Sequence, residues 1–393
     1  MISFSEARAT ILKNARPIKG EAVGCQGFPF RVPAETLVTE HDLPRFDNSA
    51  VDGYAVRAAD AGPRRIVGES AAGGPPSPPV GPNEAVRIFT GAPLPEGADA
   101  VVMQEDARPQ GEAVEFDAPP ALGHYVRRRG EDIPAGTRID LRGRVMTPPM
   151  IGLLASLGVD GLKVHGNPRV TVLATGDELG KRNAPLGPSQ IYASNHEALE
   201  SALRWLLVNS GSNFLPDDPE VLRKAFGSAL DRSDVLITIG GVSVGDHDHV
   251  RTVLADLGVR EVFWRVNMKP GKPFFFGKVG RKLVFGLPGN PVSALVTFQT
   301  LVRPALLKMK GISDTDVDTV ARLGAPIRRT DLRYEFLRAT LADGVATPIG
   351  SQGSHIQTGL VFADALIHVP DGVASMEAGD AATVTPLKWS LGT

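Results

Sequence analysis

The amino-acid sequence predicts a multidomain α/β plus β fold, with a central doubly wound α/β domain, a β-rich inserted domain and a small C-terminal β-barrel-like domain. The central domain is predicted because apolar β-branched runs alternate with amphipathic segments of about three helical turns between Pro168 and about Lys310. The part of the chain before it is rich in Pro and Gly and contains short alternating stretches such as AVRIF and AVVMQED, which predict the β-rich domain. After residue 311, short strand-like runs return, as in YEFLRATL and DALIHVP.

Two helices are expected to flank the insertion. The spacing of apolar residues predicts one helix from about Ser5 to Ala15, and a second helix near residue 150 begins with Pro148 and Pro149, since proline is favoured in a first helical turn. The expected domains are a discontinuous N-terminal domain of residues 1–44 and 138–166, the inserted domain of residues 45–137, the α/β domain of residues 167–310 and the C-terminal domain of residues 311–393.

Three strands of the α/β domain, RVTVLAT, DVLITIGG and KLVFGLPG, each lead into a polar loop. Parallel strands bind ligands at their carboxyl ends, so we expect the three loops to meet at one edge of the sheet. The candidate residues are Thr175, Gly176, Asp177 and Glu178 in the first loop, Gly240, Gly241, Ser243, Gly245, Asp246 and Asp248 in the second, and Pro288, Gly289 and Pro291 in the third.

The second loop, GGVSVGDHDH, indicates phosphate and Mg²⁺ chemistry. Glycines at a strand-to-helix turn let backbone N–H groups face an anion, while neighbouring carboxylates can recruit a divalent cation. For any one of the three loops, an ordinary tight turn is an equally strong interpretation, and their convergence is what favours a site. His247 and His249, with two carboxylates beside them, favour helix capping and hard-cation binding over a zinc site.

A lysine turn precedes the apolar run PFFFG. Lys269 and Lys272 flank a proline and Gly271, and a backbone held in this way favours a clamp for a phosphate or another oxyanion. The alternative is that both lysines are simply solvated.

The sequence DDP contains one more acidic residue that is a candidate for function. Asp218 is predicted to cap the helix that Pro219 starts, which leaves Asp217 as a candidate functional residue. Three loops of the N-terminal half, FDNSAVDGYAV, RIFTGAPLPEGADAVVMQED and RRRGEDIPAG, carry further polar groups, although a solvated face is the stronger interpretation of the arginine run. Walker A, GxGxxG, nucleophile-elbow and CxxC motifs are absent from the sequence.

The overall composition excludes several classes of protein. A chain of 393 residues with 42% hydrophobic and 22% charged residues is typical of a well-cored globular protein, and a net charge of −2 provides no basic field for nucleic acid. The single Cys25 excludes an internal disulfide framework. The N-terminus lacks the apolar region of a signal peptide, and prolines interrupt the most apolar window, so we expect a cytoplasmic protein without membrane spans.

Taken together, the ordered segments resemble one family closely. They are FDNSAVDGYAV, RIFTGAPLPEGADAVVMQED, GEDIPAG, LATGDEL, IYASN, DDP, ITIGGVSVGDHDHV, MKPGKPFFFG and GLPGNPVSALVTF. In this order they resemble the MoeA family of molybdopterin molybdenumtransferases, whose relatives include the C-terminal domain of gephyrin. The resemblance covers about residues 45–310.

This resemblance implies an elongated, four-part homodimer whose α/β domain is similar to the molybdopterin adenylyltransferase fold. It implies a Mg²⁺-dependent transferase that inserts molybdate into adenylyl-molybdopterin and releases AMP, in the last step of molybdenum cofactor biosynthesis. The implied partners are these small-molecule substrates, a second copy of the chain, and, in transient contacts, the adenylyltransferase and molybdoenzyme maturation proteins.

The family motifs also imply roles for individual residues. The implied catalytic residues are Asp52, Thr90, Asp132, Glu178, Asp217 and Asp248, of which the first three would come from the second subunit. The implied metal ligands are Glu178, Asp246 and Asp248. The implied substrate-binding residues are Thr175, Gly176, Asp177, Gly240, Gly241, Ser243, Gly245, Lys269, Gly271, Lys272, Pro288, Gly289 and Pro291.

The sequence departs from the family pattern in places. Val51 stands where the family usually has Met, and the segment QGSHI, residues 352–356, differs from a more glycine-rich form. Two alternatives stay open: an adenylyltransferase that shares the α/β domain, which would adenylylate in an ATP-dependent assay, and a non-catalytic scaffold, which would release no AMP.

Overall fold

A computed structural model of the chain describes residues 1–241, 249–387 and 389. It divides into two compact units. Unit 1 comprises Met1–Glu35, Arg142–Thr147 and Gly161–Thr393, and unit 2 comprises Thr36–Leu141 and Pro148–Asp160. The helices are α1 (Phe4–Asn14), α2 (Pro148–Ser156), α3 (Ser194–Trp205), α4 (Pro219–Arg232), α5 (His249–Asp256), α6 (Pro291–Thr297), α7 (Arg303–Met309) and α8 (Thr358–Val361).

The strands are short in most of the chain. In chain order they are β1 (Ile2–Ser3), β2 (Glu21–Gly24), β3 (Leu37–Val38), β4 (Asn48–Ser49), β5 (Gly53–Val56), β6 (Arg64–Ser70), β7 (Glu84–Ile88), β8 (Ala100–Met103), β9 (Ala107–Gln110), β10 (Ala113–Phe116), β11 (Val126–Arg127), β12 (Arg138–Ile139), β13 (Gly161–Val164), β14 (Arg169–Thr175), β15 (Leu179–Gly180), β16 (Ile191–Tyr192), β17 (Asn209–Leu215), β18 (Val235–Ile239), β19 (Arg260–Trp264), β20 (Val266–Lys269), β21 (Phe275–Val279), β22 (Lys282–Leu287), β23 (Thr319–Leu323), β24 (Ile327–Arg328), β25 (Tyr334–Ala342), β26 (Val345–Pro348), β27 (Ala365–Val369), β28 (Ser375–Met376) and β29 (Ala381–Pro386).

Local signals in the sequence place the helix starts. The Ser3 side chain accepts a hydrogen bond from the backbone N–H of Glu6, and Glu6 accepts one from the Ser3 N–H, so α1 begins with a capping box. Asp218 accepts hydrogen bonds from the backbone N–H groups of Glu220 and Val221 at 2.9 Å, and Pro219 is the first residue of α4. Both predicted starts are confirmed, the first within one residue.

The central sheet of unit 1 has the strand order β17-β14-β18-β22-β21-β19. Its first four strands are parallel, as the alternation of strands and helices predicts, whereas β21 and β19 join as an antiparallel edge. Two details differ from the sequence prediction. The antiparallel edge was not expected, and β17 was missed because its sequence, NSGSNFL, lacks the apolar β-branched residues that identified the other strands.

Helices cover both faces of this sheet, as expected for a doubly wound domain. One face packs with α1, α3, α6 and α7 around residues such as Ile11, Leu203 and Phe285. The other face packs with α4 and α5 around Phe226 and Leu254. Because β18 is buried along its length on both faces, its residues are available for function only where the strand ends.

The C-terminal part of unit 1 forms a closed barrel, which confirms the predicted β-barrel-like architecture. Strands β25, β26, β23, β29 and β27 follow one another, and β27 pairs again with β25. Small and branched apolar residues, including Ala339, Ala346 and Ile367, fill its interior.

Unit 2 contains a six-stranded sheet with the order β8-β5-β7-β6-β10-β9 and the helix α2, so its predicted β-rich character is confirmed. Its core is small and includes Tyr54, Val86 and Val102. No helix among the described residues of the chain combines the length and apolar character needed to cross a lipid bilayer.

Candidate active site

A cleft of about 580 Å³ lies at the carboxyl edge of the central sheet. The loops that follow β14, β18 and β22 meet there, as the sequence predicts for parallel strands. The residues that line the cleft are Ala174, Thr175, Glu178, Leu179, Ile191, Tyr192, Ala193, Ser194, Asn195, Ile239, Gly240, Gly241, Pro273, Pro288, Gly289, Asn290, Pro291 and Gln357.

Glycine is required where the first two loops approach each other. Gly240 has φ +86°, and a Cβ atom there would lie 2.6 Å from the carbonyl oxygen of Thr175. Gly241 has φ +60°, and its Cβ would lie 2.3 Å from a methyl group of Val250. Any larger residue would therefore be strained and would push the loops apart, so the glycines keep the backbone of β18 close to that of β14 at the cleft.

A group of carboxylates stands at the mouth of the first loop. The backbone N–H of Asp217 donates to Asp177 Oδ1 at 3.0 Å, which ties the DDP segment to the loop after β14. Burial raises the pKa of the Asp217 carboxyl, and the negative charges of Asp177 and Glu178 raise it further. The nearby Thr175 hydroxyl lowers the pKa of Asp217, but by less than burial raises it. This hydroxyl is buried and makes no hydrogen bond of normal geometry among the described residues.

The donor atoms of this group suit a hard cation. Carboxylate oxygens are the ligands that Mg²⁺ prefers, and a cation would relieve the repulsion that raises the pKa of Asp217. Among residues 1–241 and 249–387, no group of three or more His, Cys, Asp and Glu side chains is already arranged as a complete metal site.

The third loop closes the cleft through polar contacts with two other segments. Asn195 Nδ2 donates to the carbonyl oxygen of Gly289 at 2.6 Å, and Asn290 Nδ2 donates to Ser354 Oγ at 3.2 Å. Pro288 is buried, whereas Gly289 is exposed to the cleft. The prolines and these hydrogen bonds fix the backbone just before α6, so this wall is rigid.

The lysine turn lies beside the cleft, and its two lysines differ. Lys269 Nζ forms an ion pair with the buried Glu335 at 2.8 Å, so its charge is already matched. Lys272 is exposed, and the residue after it, Pro273, lines the cleft. Gly271 has φ +110° and is buried against Thr297, which holds the turn against α6.

In unit 2, the three N-terminal loops pack together. The Asp52 carboxylate accepts hydrogen bonds from both the backbone N–H and the hydroxyl of Thr90 at 2.7 Å, and these bonds hold the pKa of Asp52 below its usual range. Asp132 is exposed, and its backbone N–H donates to Leu43. The pairing of β4 with β11 brings the loop that carries Asp52 beside the segment that leads to Asp132.

Comparisons with known proteins match the whole chain to one family. The MoeA N-terminal region (domains I and II) matches residues 2–158, a probable molybdopterin-binding domain matches residues 171–308, and the MoeA C-terminal region (domain IV) matches residues 320–387. A molybdopterin molybdenumtransferase of Haemophilus influenzae is 36% identical over all of both chains. The chain belongs to the MoeA family.

Other MoeA relatives agree with this assignment. Molybdopterin molybdenumtransferase 2 of Mycobacterium tuberculosis is 36% identical over 94% of this chain and 95% of its own. The crystal structure of a molybdopterin biosynthesis MoeA protein from Pyrococcus horikoshii has a TM-score of 0.87 and 31% identity, with 99% of each chain covered. The similarity thus extends through the C-terminal barrel, beyond the segments that carried the resemblance in sequence.

The MoeA motif residues predicted from the sequence fall into four groups. Those in or at the cleft are Thr175, Gly176, Asp177, Glu178, Asp217, Gly240, Gly241, Pro288, Gly289 and Pro291. Those in the neighbouring turn are Lys269, Gly271 and Lys272. Those in unit 2 are Asp52, Thr90 and Asp132. Ser243, Gly245, Asp246 and Asp248, together with His247, lie outside the described residues.

Sequence reasoning missed the residues that bring the C-terminal barrel to the cleft. Arg338, on β25, is 1% exposed, and its guanidinium donates to the carbonyl oxygens of Ser351 and Ile356 at 2.7 Å. Gln352 accepts from the Arg338 N–H at 2.9 Å and donates to the Arg338 carbonyl oxygen at 3.0 Å. These bonds hold the loop that places Ser354 against the third cleft loop. An arginine at a strand position between apolar residues, in YEFLRATL, is the signal that could have indicated it.

Proposed function

We propose that this chain is a molybdopterin molybdenumtransferase, which inserts molybdate into adenylyl-molybdopterin and releases AMP. The observation that carries the proposal is the single cleft in which Glu178, Gly240 and Pro288 meet, in a chain that matches the MoeA family over its full length. In the reaction, the two dithiolene sulfurs give their protons to one oxide ligand of molybdate, which leaves as water as the two Mo–S bonds form. A water molecule hydrolyses the bond between the two phosphates, and AMP leaves.

The chemistry demands the neutralisation of several negative charges in one place. Molybdate and a diphosphate linkage are both anionic, so an effective site combines cationic groups, N–H donors and a rigid backbone. The glycine loop of Gly240 and Gly241 allows close approach of a phosphate to the backbone, and the exposed Lys272 directly precedes Pro273, which lines the cleft. Positioning and electrostatics would supply the rate, without a protein nucleophile.

Magnesium is part of the proposal. We propose that Glu178, together with Asp246 and Asp248, binds Mg²⁺, with Asp217 close by. When bound, the ion supplies positive charge that stabilises the departing adenylate. The crowding of carboxylates supports this assignment, because burial raises the pKa of Asp217 and the negative charges of Asp177 and Glu178 raise it further.

The remaining parts of the proposal concern assembly and location. We propose a cytoplasmic homodimer in which Asp52, Thr90 and Asp132 of one chain complete the site of the other. Mixing an inactive Asp52→Asn chain with an inactive Glu178→Gln chain tests this. If the sites are shared, each mixed dimer has one intact site out of two and recovers up to half of the wild-type specific activity. If the sites are not shared, mixing recovers no activity.

The substitution Glu178→Gln tests the site itself. We expect the rate of molybdate-dependent AMP release to fall by about 10²–10³-fold, because a preorganised charge contribution of this kind is typically that large. The exposed Glu220, on the first turn of α4, provides a matched control as Glu220→Gln, with wild-type activity. An unchanged rate for Glu178→Gln would remove Glu178 from the scheme, and ATP-dependent adenylylation by the wild type would favour the adenylyltransferase alternative.

A further inference from the structure

A second cavity of the central sheet lies at its amino edge, away from the candidate cleft. It is a cavity of about 780 Å³ where β18 and β22 begin and where α1, α4 and α7 end. Its charged lining residues are Lys13, Arg16, Lys19, Asp231, Asp234, Lys278, Arg281 and Lys282. We call this cavity the basic pocket.

The basic pocket concentrates positive charge in a chain whose overall net charge is −2. Six basic and two acidic side chains line it, which leaves an excess of four positive charges. Asp234 does not offset this excess fully, because its carboxylate also pairs with Arg169 at 3.4 Å. The local field is therefore opposite in sign to that of the whole molecule.

Part of this charge has a structural explanation. Lys282 Nζ donates to the carbonyl oxygens of Leu230 and Asp231, the latter at 3.1 Å, near the end of α4. Lys278 Nζ donates to Asn14 Oδ1 at 2.9 Å, at the end of α1. Lys13 lies in the last turn of α1, where a cation interacts favourably with the helix dipole. These three lysines stabilise helix ends.

Three cations remain without such a role. The side chains of Arg16, Lys19 and Arg281 are exposed and make no hydrogen bond or ion pair with any residue in the described part of the chain. They lie on two segments far apart in sequence that face the same cavity. Like charges gathered in this way repel one another, so their presence is explained by an anionic ligand better than by folding.

Apart from Asn14 and Gly280, the remaining walls of the basic pocket are apolar. They are formed by Pro17, Ile18, Leu230, Leu257, Val279, Leu283 and Met309. A cavity of this volume with apolar walls and a few charged groups matches the sites of small organic ligands, which occupy roughly 300–1,000 Å³. A bare inorganic ion would leave most of it empty.

We propose that the basic pocket binds a small organic polyanion that carries at least two phosphate groups, of the size of a nucleoside di- or triphosphate. Arg16, Lys19 and Arg281 bind the phosphates, and the apolar wall contacts the organic body. The site is separate from the candidate cleft, because β18 crosses the sheet between them with five buried residues, a span of roughly 16 Å. The proposal does not depend on the proposed function.

Calorimetric titration of the full-length protein with ATP, pyrophosphate and orthophosphate, in the absence of Mg²⁺, tests this. We expect ATP to bind more tightly than pyrophosphate, and orthophosphate to bind weakest. The double substitution Arg16→Ala/Arg281→Ala is expected to weaken ATP binding by about tenfold or more. Arg322→Ala, which removes an exposed arginine of the C-terminal barrel, is the matched control and leaves binding unchanged.

Two further measurements make the outcome decisive. Hydrogen exchange with and without ATP should show protection in residues 13–19 and 278–283, and the double variant should keep wild-type molybdate-dependent AMP release. ATP binding that the double substitution leaves intact, or protection confined to the cleft loops, would overturn the proposal. Binding of an acidic peptide in place of ATP and pyrophosphate would also overturn it, since it would identify a macromolecular partner.

Discussion

The two ends of the central sheet carry opposite charges and accommodate them differently. At the carboxyl end, Asp177 and Glu178 raise the pKa of Asp217, and no ion pair with these three carboxylates is present among the described residues. At the amino end, Lys278 and Lys282 donate to oxygen atoms where helices end. The charged groups at the amino end therefore stabilise the fold in part, whereas those at the carboxyl end destabilise it.

This difference between the two ends indicates that function is located at the carboxyl end of the sheet. Groups with perturbed pKa values, and backbone positions that only glycine adopts without strain, are typical of functional sites. Gly240, Gly241 and Gly271 all have positive φ within or beside the cleft. Removal of a charge should consequently lower stability at the amino end and raise it at the carboxyl end, whereas disruption of the glycine turn at the carboxyl end should lower it.

The largest expected loss of stability follows from a substitution in the glycine turn of the second cleft loop. Gly240→Ala places a Cβ atom 2.6 Å from the Thr175 carbonyl oxygen at a positive φ, so we expect a loss of about 2–3 kcal/mol in the free energy of unfolding, measured by urea denaturation. Gly211→Ala, on β17 of the same sheet, is the control, because its Cβ would meet nothing within 4 Å. A Gly240→Ala protein as stable as the control would show that the loops do not constrain each other.

A smaller effect is expected at the amino end. Lys282→Met keeps the aliphatic stem but removes the ammonium group that binds the α4 carbonyl oxygens, so the free energy of unfolding should fall by about 1–2 kcal/mol. Lys224→Met, on the exposed face of α4, is expected to change it little. Equal values for the two variants would mean that Lys282 stabilises nothing, and the contrast between the two ends would fail.

The smallest expected change in stability is at Asp217, and it is a gain rather than a loss. The folded pKa of Asp217 is raised, so the native state binds more protons, and stability is lost as the pH rises from about 4, the usual value, through the raised pKa. Asp217→Asn removes this loss. We expect a gain of roughly 0.5 kcal/mol or less at pH 7, since solvent screens a partly exposed group, and no gain at pH 3.

Thermal unfolding at both pH values measures the Asp217 effect. The exposed Asp343→Asn serves as the comparison, and it should shift the melting temperature equally at pH 3 and pH 7. A decrease in stability of Asp217→Asn at pH 7 would indicate that the ionised Asp217 carboxylate stabilises the fold, contrary to the expectation from its raised pKa.

Much of this architecture is predictable from the sequence, for identifiable reasons. The strands β14, β18 and β22 are buried on both faces, so their continuous apolar sequences identify them, and parallel topology then forces their polar loops to one edge. The helix starts at Phe4 and Pro219 are set by neighbouring capping residues, which is local information.

The parts that escaped prediction depend on distant contacts. The edge strand β17 is polar, and only its pairing with β14 makes it a strand. The ion pair of Lys269 with Glu335 and the bonds of Arg338 to Ser351 and Ile356 join segments that no periodicity relates. The charge excess of the basic pocket could not be predicted either, because its cations come from two segments, residues 13–19 and 278–282, that meet only after folding.

The buried guanidinium of Arg338 has a consequence for engineering. By fixing the backbone that carries Ser354 against Asn290, it makes the barrel a structural support of the candidate cleft in unit 1. A chimera that exchanges the whole C-terminal barrel between relatives would carry the arginine and its loop together, and would exchange part of the cleft wall, including Gln357, as well. A junction placed between Arg338 and Ser351 would separate the arginine from its loop and should be avoided.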